Sequence, residues 1–94
     1  MNLITENFGE MLKRLRKEHG IGYTTLSRAI RFGRKHIADW EAGKILPPCG
    51  KVIKSMSKAL ELSEAESVAL AKAAYVYHLD RIQSRYREDW MQVI

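Results

Sequence analysis

The residues Tyr23 to Glu41, YTTLSRAIRFGRKHIADWE, constrain this chain more than any others. Leu26, Ala29 and Ile30 recur at i, i+3 and i+4, and Ile37 and Trp40 stand three apart. Both are helical spacings. Arg31-Phe32-Gly33 interrupts the period between them. The stretch therefore predicts two short helices joined by a tight turn, with Leu26, Ala29 and Ile30 inward from the first and Ile37 and Trp40 inward from the second. The second helix is expected to run from Gly33 to Glu41. Its outward side then carries Arg34, Lys35, Ala38 and Asp39, with Arg28 and Arg31 on the segment before it. A helix anchored on one side and cationic on the other suits the major groove of DNA, which is about 12 Å wide and admits one helix.

Charge is distributed to match. The formal net charge is +5, but Lys13 to Lys58 holds 12 Lys/Arg against 3 acids, a local charge of +9. The remainder holds 4 basic residues against 8 acids, or −4. Such asymmetry points to a polyanionic partner, or else to a solvated basic surface. Ninety-four residues make one domain, residues 1–94, large enough for a modest core. The opening MNLITENFGEM lacks the basic and apolar regions of a signal peptide, and no run approaches the roughly 18 apolar residues of a membrane span. Cys49 is the only cysteine, so no intrachain disulfide forms. That suits a reducing compartment, and a cytoplasmic location is expected.

The Tyr23–Glu41 stretch resembles the helix-turn-helix of the lambdoid-phage repressor and Cro family, also called the XRE family. Leu26, Ser27, Phe32, Ile37, Trp40, Glu41 and Gly43 stand at the family's matching positions. Tyr23 stands where Gln is common, Arg31 where the turn usually has Gly, and Ala42 where Asn or Arg is common. The resemblance spans about residues 8–62. It implies an all-α, five-helix, repressor-like DNA-binding domain: a core over residues 7–62 and an extended C-terminal helix over 63–94. The turn position needs left-handed backbone, which costs a non-Gly residue about 1–2 kcal/mol. Gly33 is expected to relieve that cost by shifting the turn.

Site expectations follow in chain order. Residues 7–18 read as a first helix, capped by Asn7 or Thr5, with Phe8, Met11, Leu12 and Leu15 inward and its basic residues solvated. Tyr23 lies at a helix N-terminus, where its hydroxyl is placed to donate to a phosphate, or where it packs as an ordinary surface tyrosine. Arg34 and Lys35 occupy the first turn of the recognition helix, the part that meets base edges. Asp39 either accepts from a cytosine or forms an intrahelical pair with Lys35. His36 is assigned to phosphate rather than metal, because His19, His36, His78 and Cys49 lack metal-ligand spacing. Lys44, in the loop after the recognition helix, is assigned a backbone phosphate through the resemblance. The DNA-binding set is thus Tyr23, Arg28, Arg31, Arg34, Lys35, His36, Ala38, Asp39 and Lys44. Pro48 is expected to open the fourth helix, with Val52, Ile53, Met56, Ala59, Leu60 and Leu62 in the core.

After Ser63-Glu64-Ala65-Glu66, a capping box, Val68, Ala71, Tyr75, Leu79, Ile82, Tyr86, Trp90 and Val93 repeat at steps of three or four. The first turns are expected to close the core. Leu79, Ile82, Tyr86, Trp90 and Val93 are assigned to a homodimer interface, or to a fold-back onto the same monomer. A two-fold dimer would place two recognition helices about 34 Å apart on a palindromic operator. The expected partners are double-stranded DNA and a second copy; no cofactor, metal, membrane or small-molecule substrate is expected. No nucleophile–base pair suggests an enzyme. Two alternatives remain: an antitoxin whose C-terminal helix binds a toxin, and a helical protein-interaction module without DNA binding.

Overall fold

The computed structural model describes residues 6–76. They form five helices and no strand: α1 (Phe8–Glu18), α2 (Tyr23–Ile30), α3 (Arg34–Ala42), α4 (Gly50–Ala59) and α5 (residues 64–76). The dimer candidates Leu79, Ile82, Tyr86, Trp90 and Val93 lie outside the described residues.

Helix ends follow local chemistry. Asn7 caps α1: its side chain accepts from the Glu10 N–H at 2.8 Å, and the Glu10 carboxylate accepts from the Asn7 N–H at 3.1 Å. This reciprocal box satisfies two N–H groups that a helix start otherwise leaves open. Gly20, at φ +68°, takes the left-handed conformation that ends α1. Helix α4 begins two residues later than expected. Pro48 stays outside it, and the Cys49 carbonyl accepts the first bonds, from Val52 at 3.0 Å and Ile53 at 3.1 Å.

One contiguous core joins all five helices: Phe8, Leu12 and Leu15 from α1, Leu26 and Ile30 from α2, Ile37 and Trp40 from α3, Ile53 and Met56 from α4 with Leu60 just past its end, and Leu70 and Ala74 from α5. Val52, Ala59 and Leu62 pack half-buried at its edge. Burying one such large side chain contributes about 1.5–3 kcal/mol. The exposed Arg14 pairs with Glu6 and Glu18 contribute at most about 1 kcal/mol each. Apolar burial therefore holds the helices together.

Two inward assignments change. Ala29 is exposed, because the short α2 turns Leu26 and Ile30, one helical repeat apart, toward the core. Helix α5 is rotated away from the expected stripe. Its capping box forms as anticipated, with the Ser63 N–H donating to Glu66 at 2.9 Å and the Glu66 N–H to Ser63 at 3.1 Å. The same Glu66 carboxylate lies 3.1 Å from Nε2 of His19, at the end of α1. Leu70 and Ala74, at i+4 and i+8 from Glu66, lie on the same side of α5 as that tether and are buried in the core. Val68, Ala71 and Tyr75 are left outside.

Helix α1 crosses α3 with its backbone close. A Cβ on Gly9 would lie 2.4 Å from the Trp40 carbonyl oxygen and 2.6 Å from that of Glu41. Both are backbone atoms and have no rotamer by which to give way. Gly9→Ala gains about 1 kcal/mol of helix propensity, but separating the two helices costs more, on the order of 3 kcal/mol. We expect a fall in Tm of more than about 10 °C by calorimetry.

Candidate nucleic-acid interface

Helices α2 and α3 are joined by Arg31, Phe32 and Gly33 in a helix-turn-helix. Arg31 itself takes the left-handed conformation, at φ 63° and ψ 39°, while its N–H bonds the Ser27 carbonyl at 2.9 Å. Gly33, at φ −65° and ψ 155°, is extended and serves as the N-cap of α3. The turn is not shifted, and the strain stays on the arginine. The Ser27 hydroxyl donates to the Phe32 carbonyl and clamps the turn from the α2 side.

The reverse side of α3 is anchored by Ile37 at 0 % exposure and Trp40 at 3 %. The other end of the anchor is polar. Arg16 donates to Glu41 from Nε at 2.8 Å, and the two side chains are only 9 % and 4 % exposed. A further Arg16 nitrogen donates to the Ile21 carbonyl at 3.2 Å. Tyr23 donates its hydroxyl hydrogen to the same Glu41 carboxylate at 2.7 Å, and the Arg16 guanidinium stacks 4.0 Å over the Tyr23 ring. Glu41 thus holds the end of α1, the start of α2 and the end of α3 together.

This arrangement revises two assignments. Arg16 is buried rather than part of a solvated basic face, and the Tyr23 hydroxyl donates inside the protein rather than to a phosphate. The carboxylate raises the pKa of the Arg16 guanidinium, chiefly through their hydrogen bond, so the guanidinium stays charged. It also pushes the Tyr23 phenol above its ordinary range, because losing the proton would break the bond and set two anions together.

Arg34 and Lys35 are exposed on the first turn of α3, and with Tyr23, Ala38, Gly22, Thr24 and Gly33 they line one open groove. Glycine N-caps open both α2 and α3, without a side-chain cap on either. The first-turn N–H groups of both helices are therefore unclaimed by capping side chains, and such ends favour anions. Arg28, Arg31 and Lys44 are exposed but do not line the groove. Lys35 pairs with Asp39 at 3.3 Å, the intrahelical option for that acid. His36 is exposed beside two rings, 5.0 Å from Phe32 and 4.8 Å from Trp40 between centroids.

Gly22 is the expected N-cap of α2, with the free N–H groups of that helix start; the share of the groove from Thr24 and Gly33 escaped the sequence reading. The Arg16–Glu41 pair had a signal: Arg16 continues the Phe8–Leu12 stripe at i+8, a charged residue on an apolar face.

The fold is that of an all-helical domain built on a helix-turn-helix. It resembles the crystal structure of the clp gene regulator ClgR from C. glutamicum, with a TM-score of 0.60 and 23% sequence identity, covering 79% of this chain and 95% of that one. No family model matches the chain, and no curated protein matches it by sequence.

Linkage gives the pH behaviour of the Tyr23 bond. Its folded pKa is raised, so the stability it adds is complete below the ordinary tyrosine value of about 10 and is lost as pH rises through the folded value. In an ultraviolet titration, Tyr23→Phe should remove an ionisation step lying above the ordinary tyrosine value. Tyr23→Phe should cost about 1 kcal/mol. Glu41→Ala, which strands a buried guanidinium, should cost about 3–5 kcal/mol in urea unfolding.

Proposed function

We propose that this chain is a sequence-specific, double-stranded-DNA-binding transcriptional regulator of the XRE type, a repressor of phage or mobile-element type acting as a homodimer on a palindromic operator. The observation that carries this reading is the two-sided character of α3. Ile37 and Trp40 are buried, while Arg34 and Lys35 stand in solvent at the helix start. The described part of α5 does not cover them. A rigidly held helix with a free cationic end is what major-groove entry requires.

The groove between the starts of α2 and α3 supports the docking pose. Unclaimed N–H groups of both helices and the Lys35 ammonium can meet phosphate oxygens there, while Arg34 reaches a base edge. Arg28, Arg31 and Lys44 extend the positive surface. Phosphate neutralisation then supplies much of the affinity, and a few side chains supply the choice of site. Asp39 restrains Lys35 and repels phosphate from wrong registers. The fold shared with a clp gene regulator supports a regulatory role. Leu79, Ile82, Tyr86, Trp90 and Val93 are assigned to self-association, and a soluble cytoplasmic location is the natural setting. Among the described residues, no helix is long and apolar enough to cross a membrane.

Selection of bound duplexes from a random pool should return a palindromic consensus. Arg34→Ala should lose about 1–3 kcal/mol of discrimination at one base pair of each half-site. Lys44→Ala should weaken all duplexes alike and lower the salt slope of binding by about one. Equal weakening of every duplex by Arg34→Ala would show that this arginine reads charge and not sequence.

Arg31→Gly separates stability from binding. Releasing the left-handed strain should stabilise the fold by about 1 kcal/mol, raising Tm by roughly 4–8 °C, while removing one cation lowers duplex affinity at low salt.

A further inference from the structure

The outer face of α5 is apolar and takes no part in the core of the described residues. Val68 is 47 % exposed, Tyr75 57 % and Val76 58 %. Scattered exposed apolar residues are ordinary, but these share one stripe. Ala65, Val68, Ala69, Lys72, Tyr75 and Val76 stand at i, i+3, i+4, i+7, i+10 and i+11, the seam spacing of helices that pair. Glu64, Ala65, Val68, Ala69 and Lys72 line a shallow groove on this face, where the two alanines leave hollows beside the valine.

Charge identifies the occupant. Glu64 and Lys72 stand four residues to either side of Val68, both exposed and neither in an ion pair among the described residues. An acid and a base placed symmetrically about an apolar centre are self-complementary under a two-fold axis. A second copy laid antiparallel brings each Glu64 to the other's Lys72. A parallel copy would set Glu64 against Glu64 and Lys72 against Lys72.

We propose that α5 pairs antiparallel with α5 of a second copy of this chain, with Val68 at the two-fold axis and Glu64 of each copy against Lys72 of the other. This rests on the homodimer reading above and specifies its register. The contact lies on the part of α5 that also closes the monomer core through Leu70 and Ala74, so the two domains are joined through a rigid element.

Sedimentation equilibrium on the full chain without DNA tests it, with circular dichroism melts to confirm folding. Val68→Asp places two carboxylates at the axis and should lower the association constant by about 100-fold or more. Glu64→Lys alone and Lys72→Glu alone should each weaken it by about tenfold, as two attractive exposed pairs become repulsive. An equimolar mixture of those two single variants should dimerise as heterodimers, and Glu64→Lys with Lys72→Glu on one chain should restore self-association. A mixture no better than its components overturns the register. Dimers that survive Val68→Asp but are lost on Trp90→Asp overturn the register and leave the homodimer standing. A wild-type chain that stays monomeric overturns both.

Discussion

The buried pair between Arg16 and Glu41 is the constraint on which the rest depends. An ionised pair out of water is favourable only when its hydrogen bonds are satisfied. Here the guanidinium gives bonds to Glu41 and to the Ile21 carbonyl, and the carboxylate also accepts from Tyr23. Satisfying them requires three elements to meet at one point: the last turns of α1, the first residue of α2 and the last turn of α3. Apolar burial supplies more free energy, but it is tolerant of rotation. The ion pair is not, because a guanidinium must face its carboxylate edge-on. It therefore selects one arrangement among the several that would bury the same side chains.

That selection reaches the surface proposed to meet DNA. With Glu41 held at one end and Ile37 and Trp40 packed beneath, the opposite end of α3 is presented at a defined angle. The Ser27 clamp on the Phe32 carbonyl fixes the turn that leads into it. Arg34 and Lys35 are long and mobile, yet they project from a base that is not. Side-chain adaptability on a stiff backbone is the combination a surface needs to discriminate among nucleotide sequences.

Much of this was legible in the residues, and the limits have physical causes. Helix ends other than the start of α4 were readable because caps are local: Asn7 with Glu10, Ser63 with Glu66, Gly20 and Gly43 each act within a few positions. The exposure of Arg34 and Lys35 followed from the period set by Ile37 and Trp40. What could not be read was the roll of a helix with two plausible apolar sides. Val68, Ala71 and Tyr75 make one apolar side and Leu70 and Ala74 another, and the choice between them rests on contacts with distant segments: burial of Leu70 and Ala74 in the core and the bond between Glu66 and His19, 47 residues apart in sequence. Likewise Gly9 looks like any helical glycine until Trp40 and Glu41 arrive from a distant segment. Arg31 departs the other way: the left-handed turn was anticipated, and the chain keeps an arginine in it.

The glycine N-caps of α2 and α3 have a consequence for how such a surface is dissected. Nothing lies within 4 Å of a Cβ built on Gly22 or Gly33, so neither glycine is needed for lack of room. Their bareness leaves main-chain donors facing outward, unshielded by any cap. Contacts made through those donors belong to no side chain, so truncating side chains one at a time leaves them untouched. The summed losses from such a survey would fall short of the whole, and the missing share would belong to the peptide backbone itself.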